Sequence, residues 1–135
     1  MSFTSVRIIT KDIQPLVRFY EKVLGSTAIQ YTEDFAELRT PLATLAIAST
    51  RTLALFGGDN IARPAENRSV IIEFRMDDVD STYEALAGFL VNKVVQKPVT
   101  MPWGNRSLLF KDPDGNLVNF FTPVTEDSKQ RAGTS

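Results

Sequence analysis

Glu73, Asn119, Arg7 and Arg75 stand in segments that otherwise read as apolar strands, and polar groups in that setting are where chemistry is to be sought. In VIIEFRM (70–76) the even positions Val70, Ile72, Phe74 and Met76 are apolar, so Ile71, Glu73 and Arg75 share the opposite face. By the same alternation Val6 and Ile8 take one face of the first strand and Ser5, Arg7 and Ile9 the other. In LLFKDPDGNLVNFF (108–121), Val118 and Phe120 pair off against Leu117, Asn119 and Phe121. A carboxylate, an amide and two guanidinium groups on one side can be used in three ways. Glu73 can act as a general base, with Arg7 or Arg75 stabilising an enolate-like charge and Tyr31 as the acid. The same groups can instead orient a bound small molecule among Phe35, Phe56, Phe110, Phe121 and Trp103. A mutual ion pair of Glu73 with Arg7 or Arg75 would merely seal the face, and would be costly to break.

Composition removes many other chemistries. The 135 residues contain no histidine and no cysteine, so Ser-His-Asp and thiolate catalysis are excluded, as are the commonest ligands for zinc, iron, nickel and copper. A metal would have to be held by carboxylate and carbonyl oxygen, which favours hard ions such as magnesium or calcium. Fifteen Lys+Arg against sixteen Asp+Glu give a formal net charge of -1, with no basic run of the kind that nucleic acid requires. The absence of cysteine suits a reducing compartment. MSFTSVRIIT does not read as a leader, and no stretch approaches 18 apolar residues. A soluble cytoplasmic protein with no membrane partner is expected.

The elements that must position these groups come in two similar sets. Val6–Ile9 reads as a strand. Asp12 is an N-cap before Leu16, Phe19, Tyr20, Val23 and Leu24 at helical spacing, with Pro15 in the first turn and Gly25 as C-cap. Strand-like pieces follow at Ala28–Thr32, Phe35–Arg39, Thr44–Ala48 and Thr52–Phe56, then a polar linker over 58–68. The grammar restarts with a strand at Val70–Met76. Asp78 is the second N-cap, before Val79, Tyr83, Leu86, Ala87 and Leu90, and strands follow at Lys93–Val99, Asn105–Lys111 and Leu117–Thr122. Asp12 and Asp78 both sit at strand-to-helix junctions, 66 residues apart. The expected fold is α+β: two tandem βαβββ modules, about 5–57 and 69–123, forming a curved mixed sheet around a cleft with helices on the outer face. They make a single domain over 1–124, and the polar tail 125–135 is expected to be disordered.

With KDIQPLVRFYEKVLG (11–25) in the first half and PWGNRSLLFKDPDGNLVNFF (102–121) in the second, the chain resembles the vicinal oxygen chelate superfamily. That group includes glyoxalase I, bleomycin-resistance proteins, fosfomycin-resistance transferases and extradiol dioxygenases. The resemblance spans about residues 5–123. Asp112-Pro113-Asp114-Gly115 itself reads as a structural turn, with Gly115 supplying a positive φ, whereas Trp103 can cap a sheet edge or stack on a ligand. In metal-dependent members the ligands are a His or Gln early in the first strand, a His in the first strand of the second half, and a Glu four residues after the turn glycine. Ser5, Ile71 and Asn119 occupy those positions. A fourth ligand, where present, would come from about Leu53–Phe56, which is apolar apart from nearby Thr52.

The resemblance therefore implies a metal-free member without a cofactor: a small-molecule-binding protein that sequesters a drug or metabolite, in a homodimer. Bleomycin-type clefts tend to be strongly acidic, which this near-neutral chain is not, and Arg7 and Arg75 favour an anionic or mixed-polarity ligand. The alternative is a metal-independent lyase or isomerase that uses Glu73 as base.

Overall fold

The computed structural model describes residues 1–58 and 60–133; Asp59 of the expected linker and the last two residues of the expected tail lie outside them. The chain divides into two compact units, one comprising Met1–Asn67 with Pro113–Gly115, the other Arg68–Asp112 with the chain from Asn116 onward. Each contains a four-stranded mixed sheet with its helix on one side.

In the first unit β1 (Ser5–Thr10), α1 (Ile13–Leu24), β2 (Ile29–Thr32), β3 (Phe35–Arg39) and β4 (Thr44–Ser49) give the sheet order β1-β4-β3-β2. Strands β1 and β4 run parallel, with Val6 opposite Leu45 and Ile8 opposite Ile47. A parallel pair needs a crossover, and α1 is part of it. Asp12 begins that helix by accepting from the Gln14 amide at 3.1 Å, and Gly25 ends it at φ 63°. Ile13, Leu16, Val17, Phe19, Tyr20 and Val23 are its buried residues; with Leu38, Leu45 and Ile47 they belong to the core. Each large side chain so buried stabilises the fold by roughly 1.5–3 kcal/mol before entropy is counted.

The second unit repeats the plan with β5 (Ile71–Arg75), α2 (Val79–Leu86), β6 (Val94–Thr100), β7 (Asn105–Lys111) and β8 (Leu117–Pro123), in the order β5-β8-β7-β6. Asp78 caps α2, accepting from the Asp80 and Ser81 amides. Arg106 on β7 holds the helix through Asp80, Nε to Oδ2 at 2.8 Å. Phe120 lies edge-on to both Phe110 (4.9 Å between ring centroids) and Phe74 (5.7 Å). In the turn 112–116, Asp112 accepts from the backbone amide and the side-chain amide of Asn116, both at 2.9 Å, and Gly115 adopts φ 81°.

Two expected elements are different. Thr52–Phe56 is not a strand: Thr50–Leu55 forms a 3-10 helix, because Ser49 caps it by accepting from the Arg51 amide and Thr52 donates back to the Ser49 carbonyl. The tail is not disordered either, since Glu126–Ala132 forms α3. Thr125 and Ser128 make a reciprocal capping box at its start, Glu126 and Asp127 occupy its first turn, and Lys129 and Arg131 its last. The Ser128 hydroxyl also donates to the Gly104 carbonyl at 2.8 Å, Arg131 donates to the Trp103 carbonyl, and Arg75 to the Ala132 carbonyl.

Gly104 is where this arrangement admits no side chain. Its φ is +92°, and a Cβ would stand 2.0 Å from Thr125 Oγ1. Gly25 has a positive φ as well, but open space around it. Gly104→Ala is expected to destabilise the protein by roughly 3 kcal/mol, and Gly25→Ala by only about 1 kcal/mol. Urea unfolding of the two variants checks the difference.

Candidate functional site

Strand register decides which side chains share a surface. In the second unit Glu73 lies opposite Asn119, and Asn119 opposite Leu109; one row along, Arg75, Phe121 and Ser107 line up. These residues occupy the sheet face turned away from the Val118–Phe120 core. Asn119 donates from Nδ2 to Glu73 Oε2 at 2.8 Å. The carboxylate thus fixes which end of the amide faces it, since the reverse orientation would set two oxygens against each other. Asn119 is only 8 % exposed, and its Oδ1 is buried without a hydrogen-bond partner among the described residues. A buried acceptor left in that state costs about 1–3 kcal/mol.

Register also corrects one expected contact. Phe110 lies opposite Val118 and is fully buried against Phe120. Antiparallel pairing of β7 with β8 sets even residues against even ones, so Phe110 belongs to the core on the α2 side and is no part of a ligand surface. The anticipated ion pair is also missing: among the described residues Glu73 is in no salt bridge, Asn119 takes its Oε2, and Arg75 turns to the end of α3. Trp103 is 58 % exposed; only its backbone carbonyl is engaged by α3, which leaves the indole as a stacking surface.

The remaining predicted residues gather in the first unit. Arg7, Ala46, Glu37 and Ile29 form one row across the sheet; Ile9, Ala48, Phe35 and Thr32 form the next. The Arg7 guanidinium lies over the Phe35 ring at 4.8 Å and the Phe56 ring at 5.4 Å. Tyr31 stacks on Phe35 at 5.5 Å between centroids. The Tyr31 hydroxyl donates to Glu37 Oε1 at 2.9 Å, and Arg39 donates to both the hydroxyl and Glu37. Tyr31, the expected acid, is therefore tied to its own carboxylate.

Phe56 reaches Arg7 because the 3-10 helix is latched at its start. Asp34 Oδ1 accepts from Ser49 Oγ at 2.7 Å and Arg51 Nε at 2.7 Å, and the Ser49 amide donates to the Asp34 carbonyl. Sequence reading passed over this triad, although an aspartate in a β2–β3 turn and a Ser-x-Arg after β4 were visible. The hydrogen bonds from Arg51 and then Ser49 hold the Asp34 carboxyl below the usual carboxylate range.

At the three positions that the resemblance assigns to metal ligands, the side chains are poor donors. Ser5 offers a neutral hydroxyl, Asn119 a neutral amide and Ile71 an alkyl group, and among the described residues no three His, Cys, Asp or Glu side chains group together to hold an ion.

Residues 2–120 match the family described as the Glyoxalase/Bleomycin resistance protein/Dioxygenase superfamily. The uncharacterized protein YraH of Bacillus subtilis (strain 168) is 28% identical over 127 residues, covering 90% of this chain and 98% of YraH. YwbC of the same bacterium is 26% identical over 117 residues, covering 84% and 91%. Among solved structures, a glyoxalase/bleomycin resistance protein/dioxygenase family enzyme from Burkholderia phytofirmans PsJN superposes with a TM-score of 0.79 at 16% identity, covering 92% of this chain and 100% of that one. At such identity the likeness concerns the fold alone.

Because the folded Asp34 carboxyl is the stronger acid, its contribution to stability is complete above about pH 4 and is lost as pH falls through the depressed folded value. Asp34→Asn is therefore expected to lower the thermal midpoint at pH 7, with the gap to the wild type narrowing as pH falls below about 4. Thermal unfolding from pH 2 to pH 8 checks this, and a gap that is constant across the range would contradict the assignment.

Proposed function

This chain belongs to the glyoxalase/bleomycin resistance protein/dioxygenase superfamily, and on that premise we propose that it binds a small organic molecule, without a metal ion, on the sheet faces turned away from α1 and α2. The observation that carries this reading is the Asn119–Glu73 pair. The amide's Oδ1 is a buried acceptor without a donor among the described residues, and its Nδ2 is held in place by donating to the carboxylate. An N–H or O–H group of a ligand would relieve that cost, once a neighbouring side chain shifts to admit it. Ile71, Leu117 and Phe121 on the same face supply apolar surface, and Trp103 is an exposed ring of the same unit. Sequestration of a drug or metabolite, by a homodimer in the cytoplasm, is the role we infer from the family resemblance; no helix among the described residues is long and apolar enough to cross a membrane.

One feature favours a second reading, a metal-independent lyase or isomerase. Glu73 anchors only Oε2, which leaves Oε1 to take a proton from a bound substrate. Glu73→Gln separates the two: a binder keeps its affinity to within a few fold, whereas an enzyme keeps its substrate and loses at least 10²-fold in turnover.

Asn119→Leu removes the orphan acceptor and fills its volume with apolar atoms. Its stability is expected to be unchanged or raised by up to about 2 kcal/mol, with ligand binding lost. Ligand-observed NMR against a library of small aromatic and heterocyclic compounds, with EDTA present, checks the second half. Compounds that bind the wild type in EDTA and not N119L support the reading. Binding that appears only with added manganese or nickel, or a set of binders none of which N119L loses, contradicts it.

A further inference from the structure

We propose that Arg7, with Phe35 and Phe56, forms a clamp for the carboxylate of a planar, aromatic organic acid. This rests on the small-molecule reading above and names the ligand class for the first unit.

Three observations lead to it. The guanidinium lies over two aromatic rings, and such contacts hold the side chain by its π faces while leaving its in-plane N–H donors unused. Those donors match a carboxylate in bidentate geometry. Second, Arg7 has no counter-ion among the described residues. The carboxylate in its own row, Glu37, is already taken by Arg39 and Tyr31. Arg75, the other arginine on the predicted faces, is turned to the Ala132 carbonyl. Third, the clamp is built in advance. The Asp34–Ser49–Arg51 latch fixes the start of the 3-10 helix that carries Phe56 at its end, and Tyr31 backs Phe35. A solvated arginine would need none of these supports, and rotamer entropy would oppose holding it still. Phe56 is 62 % exposed and Tyr31 49 %, so the rings beside the cation offer a flat apolar surface to a ligand that carries its charge on a planar body. In the sheet rows Ala46 lies between Arg7 and Glu37, and Ala48 between Ile9 and Phe35, which keeps bulk away from the clamp.

The test uses the full chain and three probes: benzoate, its neutral analogue benzamide, and inorganic phosphate, each titrated by calorimetry and by NMR of the arginine Nε–H signals. Benzoate is expected to bind at least tenfold more tightly than benzamide and than phosphate, with a shift of the Arg7 Nε–H. Arg7→Lys keeps the charge but loses the plane and the fork, and should weaken benzoate at least tenfold. Phe56→Leu, at an exposed position, should weaken it several-fold while the thermal midpoint stays put. Equal affinity for benzoate and benzamide, equal affinity of wild type and R7K, phosphate binding as well as benzoate, or no benzoate binding would each overturn the clamp. The benzoate-to-benzamide ratio is measured on the wild type and so survives any folding defect in a variant. N119L distinguishes the two readings: a failed clamp alongside library compounds lost in N119L leaves the broader proposal standing.

Discussion

Parallel pairing of the first and last strands of each βαβββ unit, β1 with β4 and β5 with β8, is the constraint from which the rest of this structure follows. Two parallel neighbours cannot be joined by a hairpin, so in each unit the chain leaves the sheet, forms a helix and returns. The helix then buries one face of its sheet, and period-two alternation sends every second side chain to the other face. Arg7 and Ser5 in one unit, and Glu73, Arg75 and Asn119 in the other, are thus placed away from α1 and α2 without any further instruction. Positions that would be poor choices for a core become a surface on which polar and aromatic groups meet.

Much of this was legible in the sequence because its signals are local. Asp12 and Asp78 cap helices as their placement before apolar runs of helical period predicts, and Gly25 stops the first in the left-handed region. Alternation in Val70–Met76 and Leu117–Thr122 put Glu73 and Asn119 on a common face, and the register confirms them as direct neighbours. The Asp-Pro-Asp-Gly turn and its positive-φ glycine were equally plain.

What escaped is non-local. Phe110 was placed with the ligand-facing aromatics by residue type, whereas pairing across β7 and β8 puts it opposite Val118 in the core. Thr52–Phe56 looked like a strand, since the Asp34 latch that turns the segment into a 3-10 helix lies across a β-hairpin from it. The tail lacks an apolar stripe and so looked disordered. Its helix depends on a Thr125–Ser128 cap seated on Gly104, more than twenty residues earlier. Arg75 keeps its expected place on that face, but its guanidinium is engaged by a carbonyl of that same helix.

Together these features describe two sheet faces, turned away from α1 and α2, that carry hydrogen-bonding and stacking groups. Among the described residues, Asn119 and Glu73 present oxygen acceptors of which one is buried and unmet, and Arg7 presents a planar cation over two rings and in no salt bridge. The most direct test is anomalous diffraction from crystals soaked in turn with nickel and manganese salts. No ordered ion bonded to Glu73 and Asn119 is expected; an ion held by those two side chains at metal-ligand distances would contradict the metal-free reading.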